Sequence, residues 1–239
     1  MNELLAEIAR CVERGKVDSA SPHPCDLKGL PGADELTRHA LESGLSASAI
    51  LSAALIPGME RVGRRFTDNL AFVPDLLMAA KAMSAAMKHL QPCFISGAVK
   101  HKGTFIIGTV AGDLHDIGKR LVALIVEGAG YQVVDLGVDV PAERFVDALA
   151  HHPGAAVGLS SLLTTTMPAM EKTVTAIRAR FPHSNVLIGG APVTEEFRAA
   201  IGADFYSPEP MGAVEYLNTA SERFALRPDG QERSPACNQ

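Results

Sequence analysis

The chain has 239 residues and a net charge of −5, with 47% apolar and 21% charged positions. That is enough apolar chain for a buried core, without the basic field that holds a nucleic-acid backbone or the run of about 20 apolar residues that crosses a bilayer. Aromatic residues make up 5% and tryptophan is absent, so platforms for stacking bases are scarce.

Residues 1–91 read as helical throughout. Leu4, Leu5, Ile8 and Cys11 recur at helical spacing, and the N-terminus carries acids early in place of the basic and apolar regions of a signal peptide. Ser19 to Gly32, rich in Pro, Gly and Ser, is expected to be a loop. Helices are expected over Glu35 to Leu45, over Ile50 to Phe66 (Leu51, Leu55, Met59, Val62), and over Val73 to Leu90, with Pro74 suited to a first turn. Four such segments make a small helical bundle. After Pro92 the period changes. Thr104 to Val110 is a β-branched apolar run, a buried strand, followed by a helix over about Ile117 to Ala129. Strands at Gln132 to Leu136, Ala155 to Leu159, Asn185 to Ile188 and Asp204 to Tyr206 alternate with helices near Ala142 to Ala150, Met167 to Arg180, Glu195 to Ile201 and Gly212 to Phe224. The expected class is therefore α/β: an N-terminal helical bundle (1–91), then a doubly wound parallel five-stranded sheet (92–226), then a flexible tail (227–239). Cys11, Cys25, Cys93 and Cys237 are far apart with no C-x-x-C pair, as expected of reduced thiols in a cytoplasmic protein.

Ligands of open α/β sheets sit beyond the carboxyl ends of the strands. The first such loop reads Val110-Ala-Gly-Asp-Leu-His-Asp-Ile-Gly-Lys119. The spacing of Gly108, Gly112 and Gly118 does not fit a dinucleotide loop, and Gly118-Lys119 is followed by Arg120 where a phosphate loop needs Ser or Thr. Gly112 and Gly118 permit close approach of something flat or bulky. A histidine two residues from an aspartate can be a metal ligand, His115, with a carboxylate, Asp113, fixing its tautomer. It can equally be a loop histidine beside a helix cap. Gly189-Gly190 can be an ordinary strand-to-helix turn, and Ser160 a turn cap.

Together, these parts resemble the cobalamin-binding domains of the methionine synthase type. Those carry D-x-H-x-x-G, about 41 residues, S-x-L, 26 to 28 residues, then G-G. Here Asp113-x-His115-x-x-Gly118 is followed by 41 residues, Ser160-Ser161-Leu162, 26 residues and Gly189-Gly190. Each part falls at the carboxyl end of an expected strand. The helical half is similar to that of methyltransferase corrinoid proteins, serving methylamines, methanol, methoxylated aromatics and betaines, at Gly58-Met59-Glu60-x-Val62-Gly63-x-x-Phe66 and Phe72 to Ala80. The resemblance covers about residues 35 to 222. Ser19 to Gly32 departs from it, since the usual connection there is shorter.

The resemblance implies a flavodoxin-like or Rossmann-like domain that binds cobalamin, as methylcobalamin or cob(I)alamin, with its nucleotide tail displaced from cobalt and buried. It makes His115 the lower axial ligand and Asp113 its partner. Thr166, six residues beyond Ser160, takes the place of a hydroxyl that extends the relay. Asp116, Gly118, Ser160, Leu162, Gly189 and Gly190 would contact the cofactor, the glycines leaving room for the tail. The bundle would shield the upper corrin face through Phe72, Val73, Leu77 and Met78, although any of these can simply be bundle core. His23, His89, His151 and His152 are expected at the surface.

The implied function is a methyl carrier between a substrate-specific methyltransferase and a second methyltransferase acting on an acceptor such as tetrahydrofolate or a thiol. A reductive activase and a second copy of the chain are further partners the resemblance allows. The main alternative is a cobalamin-dependent light or ligand sensor, for which a DNA-binding module, basic charge and tryptophan are lacking. An adenosylcobalamin mutase subunit would share D-x-H-x-x-G but would not need the bundle.

Overall fold

A computed structural model describes residues 2–225; the expected tail at 227–239, with Cys237, lies outside the described residues. Helix α1 (Asn2–Glu13) buries Ile8, Cys11 and Val12. The loop after it contains one 3-10 turn (Cys25–Leu27) and leads into α2 (Ala33–Glu42). There the Glu35 carboxylate accepts the Gly32 amide proton at 2.9 Å, half of a capping box. The third helical segment differs from expectation. It begins at Ala47 rather than Ile50, as α3 (Ala47–Ile50) capped by Ser46, passes through a π-helical turn (Leu51–Leu55), and continues as α4 (Ile56–Thr67). The wider turn brings Leu51, Ala54 and Leu55 all into the core. Helix α5 (Val73–Ile95) runs past Leu90 with Pro92 inside its last turn, where it removes one i→i−4 bond and the helix ends three residues on. His89, expected at the surface, is half-buried and lies 2.9 Å from the Asp34 carboxylate, tying α5 to α2.

The second half alternates strictly. Strands β1 (Thr104–Thr109), β2 (Gln132–Asp135), β3 (Ala156–Ser160), β4 (Val186–Gly189) and β5 (Phe205–Tyr206) form one parallel sheet in the order β2-β1-β3-β4-β5. The helices between and after them are α6 (Ile117–Gly128), α7 (Ala142–His151), α8 (Met167–Arg180), α9 (Glu195–Ile201) and α10 (Pro210–Ala225). Alternation along the strands divides the core. Phe105, Ile107, Ala156 and Leu187 face α6 and α10, while Ile106, Val157, Val186 and Ile188 face α7 and α8. The first cluster runs on without a break into the bundle, because α6 packs on both α4 and α5. Glycine notches seat methionines at this junction: Met59 of α4 against Gly128, and Met211 of α10 against Gly63. No helix among the described residues is long and apolar enough to cross a membrane.

The strand order fixes where a ligand can lie. The chain leaves β1 for β2 on one side and returns to β3 on the other, so the loops after β1 and β3 diverge and open a crevice. Thr109 and Ser160, the last residues of those strands, are register partners at its edge.

Candidate functional site

The loop from Val110 to Asp116 rises from the end of β1. Gly112 takes φ +82°, which lets the chain fold back so that the Asp113 side chain is completely buried. Its carboxylate accepts bonds from two sides. Oδ1 takes the His115 amide at 3.0 Å and the His115 ring Nδ1–H at 2.8 Å. Oδ2 takes the Leu162 amide at 2.7 Å and the Thr166 hydroxyl at 2.9 Å, both from the segment after β3. Burial pushes this carboxyl up, but the His115 and Leu162 amides, the His115 ring and the Thr166 hydroxyl outweigh it and hold the group well below the usual carboxylate range. Asp113 is therefore an anion that keeps the proton on Nδ1 and leaves Nε2 as the nitrogen for a metal. The His115 side chain is 51% exposed, so that nitrogen is accessible.

Behind Thr166 stands Ser161, buried, with its hydroxyl 2.7 Å from the Thr166 oxygen. Reading the middle position of S-x-L as spacing alone overlooks it; a hydroxyl next to the motif serine is the only sign of it in the sequence. Leu114 and Ile117, the unassigned positions of D-x-H-x-x-G, are 72% and 77% exposed and flank His115 with Leu162 and Leu163 as an apolar apron.

Beneath the apron lies a cavity of about 660 Å³, within the range of sites that enclose a small organic molecule. Its walls include His115, Asp116, Gly118, Ser160, Leu162, Gly189 and Gly190, so the structure brings these expected residues together. Apolar side chains from Phe105, Val122, Leu187 and Phe205 form its depth. The glycines act differently. A β-carbon at Gly118 would meet open space and one at Gly189 only an ordinary contact with the Ser207 carbonyl oxygen at 3.9 Å, so these positions keep the cavity clear. At Gly190, with φ +128°, it would lie 1.7 Å from the Ser161 carbonyl oxygen, so that glycine is required by backbone packing. Asp116 precedes α6 as its N-cap residue, and its carboxylate pairs with Arg120 at 2.7 Å. Lys119, also in the wall, is buried and paired with Asp135.

Met78 is not brought to the cavity. It is half-buried, with its Cβ close against Gly15 after α1. Phe72, Val73 and Leu77 are exposed at the start of α5 and are not part of the cavity wall either. The donor set suits a metal that arrives within a macrocycle: one accessible ring nitrogen, an apolar apron for a flat ring, and an apolar slot for an appended group.

A parallel sheet of this order, with a histidine–aspartate–threonine relay at its switch point above an apolar slot, defines a cobalamin-binding α/β domain. Two family models, each described as a B12 binding domain, match residues 103–215 and 31–91. Dimethylamine corrinoid protein 1 of Methanosarcina acetivorans is 38% identical over 89% of this chain and 94% of its own length. The trimethylamine corrinoid protein of Methanosarcina barkeri is 35% identical over 79% of this chain and 88% of its own. Among solved structures, the methanol:cobalamin methyltransferase complex MtaBC of Methanosarcina barkeri superposes with a TM-score of 0.78 at 28% identity, covering 92% of this chain and 80% of that one. A cobalamin-binding protein of Desulfitobacterium hafniense gives 0.69 at 30% identity, covering 90% of this chain and 97% of that one. The chain belongs to the corrinoid proteins of methyltransferase systems, and its cofactor is cobalamin.

Proposed function

We propose that this chain is a methyl carrier that holds cobalamin with the nucleotide tail in the 660 Å³ slot and His115 Nε2 as the lower axial ligand. The observation that carries the reading is the buried Asp113 carboxylate, shared between the His115 ring and Thr166 so that Nε2 is free beside that slot. When bound, cobalamin supplies a cobalt centre that can accept and release a methyl group. The residues of the chain do the rest. Asp113 orients the imidazole and fixes its tautomer. Thr166 and Ser161 hold the far side of the carboxylate and provide hydroxyls along which a proton can shift when the histidine is bound or released. Gly118 and Gly189 keep the slot open, and Ser160, Leu162 and Gly190 line it. Phe72, Val73 and Leu77 give the bundle an exposed apolar edge with which to exclude water from the reacting face.

The likeness to a methanol:cobalamin methyltransferase complex supports a protein that is methylated by one methyltransferase and demethylated by another. The relatives named for dimethylamine and trimethylamine favour a methylated amine as the donor class. The test is an absorption spectrum of apoprotein mixed with hydroxocobalamin and freed of excess ligand, compared with His115→Ala. Pigment should stay with the wild type, and its spectrum should change in the variant. A wild type that holds no pigment would end the carrier reading, and identical spectra would end the axial role of His115.

A further inference from the structure

The relay anchors the Asp113–His115 loop to the β3 side of the crevice only. Asp113 and His115 ride on the same loop, so the bond between them cannot fix that loop relative to the sheet. Two groups outside the relay do so from the other side. Thr109, at the end of β1 and completely buried, donates its hydroxyl proton to the His115 carbonyl at 2.9 Å. Asp139, in the β2–α7 connection, grips the loop twice: its carboxylate accepts the Gly112 amide proton at 2.7 Å, and its own amide donates to the Asp113 carbonyl at 2.9 Å. The connection is itself laid along β1, with Thr109 N–H donating to Gly137 O at 3.0 Å, Val140 N–H to Thr109 O at 2.9 Å, and a parallel bridge between Val110 and Val140. Asp139 makes these contacts at φ +52°, a left-handed conformation that aspartate adopts more readily than most residues with a side chain.

We propose that Asp139 and Thr109 are positioning residues for His115, completing with the relay a three-sided hold on its loop from β1, β2 and β3. The proposal rests on the reading of His115 as axial ligand. A ligand atom must be held within a fraction of an ångström of its working place by groups that are themselves fixed, and Asp139, locked by two opposed hydrogen bonds, meets that condition. A turn that only stabilised the fold would leave the histidine's engagement unchanged in folded protein.

The test separates the two. Protein labelled with 15N-histidine is loaded with cob(II)alamin, and electron paramagnetic resonance reads the axial nitrogen splitting: a doublet for 15N-histidine, a triplet for an unlabelled nitrogen. The wild type should give the doublet. Asp139→Gly keeps the backbone conformation but removes the acceptor, and Thr109→Val keeps the shape but removes the donor. Each, folded by circular dichroism and still pigmented, should lose at least about half of the doublet intensity. Asp139→Asn and Thr109→Ser, which keep an acceptor and a donor, should retain it. If Asp139→Gly does not fold, the Thr109 pair carries the comparison alone. Folded Gly and Val variants with wild-type signals overturn the proposal, as does an Asn variant that loses as much as Gly. A wild type without the doublet overturns the axial-histidine reading, and this proposal with it.

Discussion

Gly189 and Gly190 are adjacent and serve different ends. A β-carbon at Gly189 would come no closer than 3.9 Å to its nearest neighbour, the Ser207 carbonyl oxygen, and would intrude only on the cavity. At Gly190 it would collide with the Ser161 carbonyl in a backbone conformation that side chains resist. Gly189→Ala should therefore keep its stability within about 0.5 kcal/mol by urea unfolding and yet retain less cobalamin after gel filtration. Gly190→Ala should lose roughly 2 kcal/mol or more before any ligand is added. Equal stabilities would show that the cavity wall yields where the structure makes it rigid. At Asp113 the issue is charge. Its folded-state pKa lies below that of the unfolded chain, so it stabilises the fold at pH values above the ordinary carboxylate range, and that contribution is lost as pH falls through and below that range. Asp113→Asn cannot accept the same set of bonds and should cost the apoprotein about 2–3 kcal/mol at pH 7. The gap from wild type should narrow below about pH 4; a gap that stays constant with pH would mean the carboxylate is not ionised in the fold.

Glu35 shows the same sign in an element with no part in the site. Burial pushes its carboxyl up, but the Ser19 and Gly32 amides and the Ser19 hydroxyl bring it down to about 2 from 4.5. It ties the start of α2 to the long connection after α1, which Lys16 also holds by donating from its buried ammonium to the Ser21 carbonyl at 3.0 Å. Glu35→Gln should cost about 1 kcal/mol above pH 4.5, a difference that fades as pH falls toward 2 and leaves cobalamin retention untouched. A loss of retention would place this connection in the functional surface. Most elements were legible in the chain because the period switches cleanly: apolar residues at helical spacing up to α5, then β-branched runs such as Thr104 to Thr109 separated by amphipathic helices. The π turn at Leu51–Leu55 was not, since its apolar positions also satisfy an α-helical stripe. At the site, Asp113, His115 and the glycine pair announced themselves by spacing along the sequence. Asp139 did not, because its hold on Gly112 arises from the way the β2–α7 connection lies beside β1, a relation between segments that no local pattern encodes. Met78 shows how far periodicity reaches: helical spacing places a residue along α5 but does not say which neighbour its face meets, and its Cβ lies against the turn at Gly15.

At the scale of the molecule, the bundle and the sheet share one core. Residues of α1, α4 and α5 are continuous with Leu121, Ile125 and Val126 of α6 and with Val214 and Leu217 of α10. Helix α6 is the common wall, carrying the His115 loop at its start and meeting the bundle at its end, where Gly128 receives Met59. A β-carbon at Gly128 would lie 2.7 Å from Met59 Cγ and 3.1 Å from its Cβ, too near the root of that side chain for a simple rotation to clear it. Gly128→Ala gains about 0.5–1 kcal/mol from reduced backbone freedom, but overpacking a tight contact costs about 1–3 kcal/mol, so a net loss near 1 kcal/mol is expected. With a shared core the loss should appear as a shift of about 2–4 °C in one calorimetric transition rather than as a new, lower one from the bundle alone. Met59→Ala in the same chain should relieve the clash, giving a coupling above about 0.5 kcal/mol in a double-mutant cycle. Two separate transitions in the wild type would mean that the bundle and the sheet are held together by surface contact, and that the cap can leave the corrinoid domain without disturbing the core beneath His115.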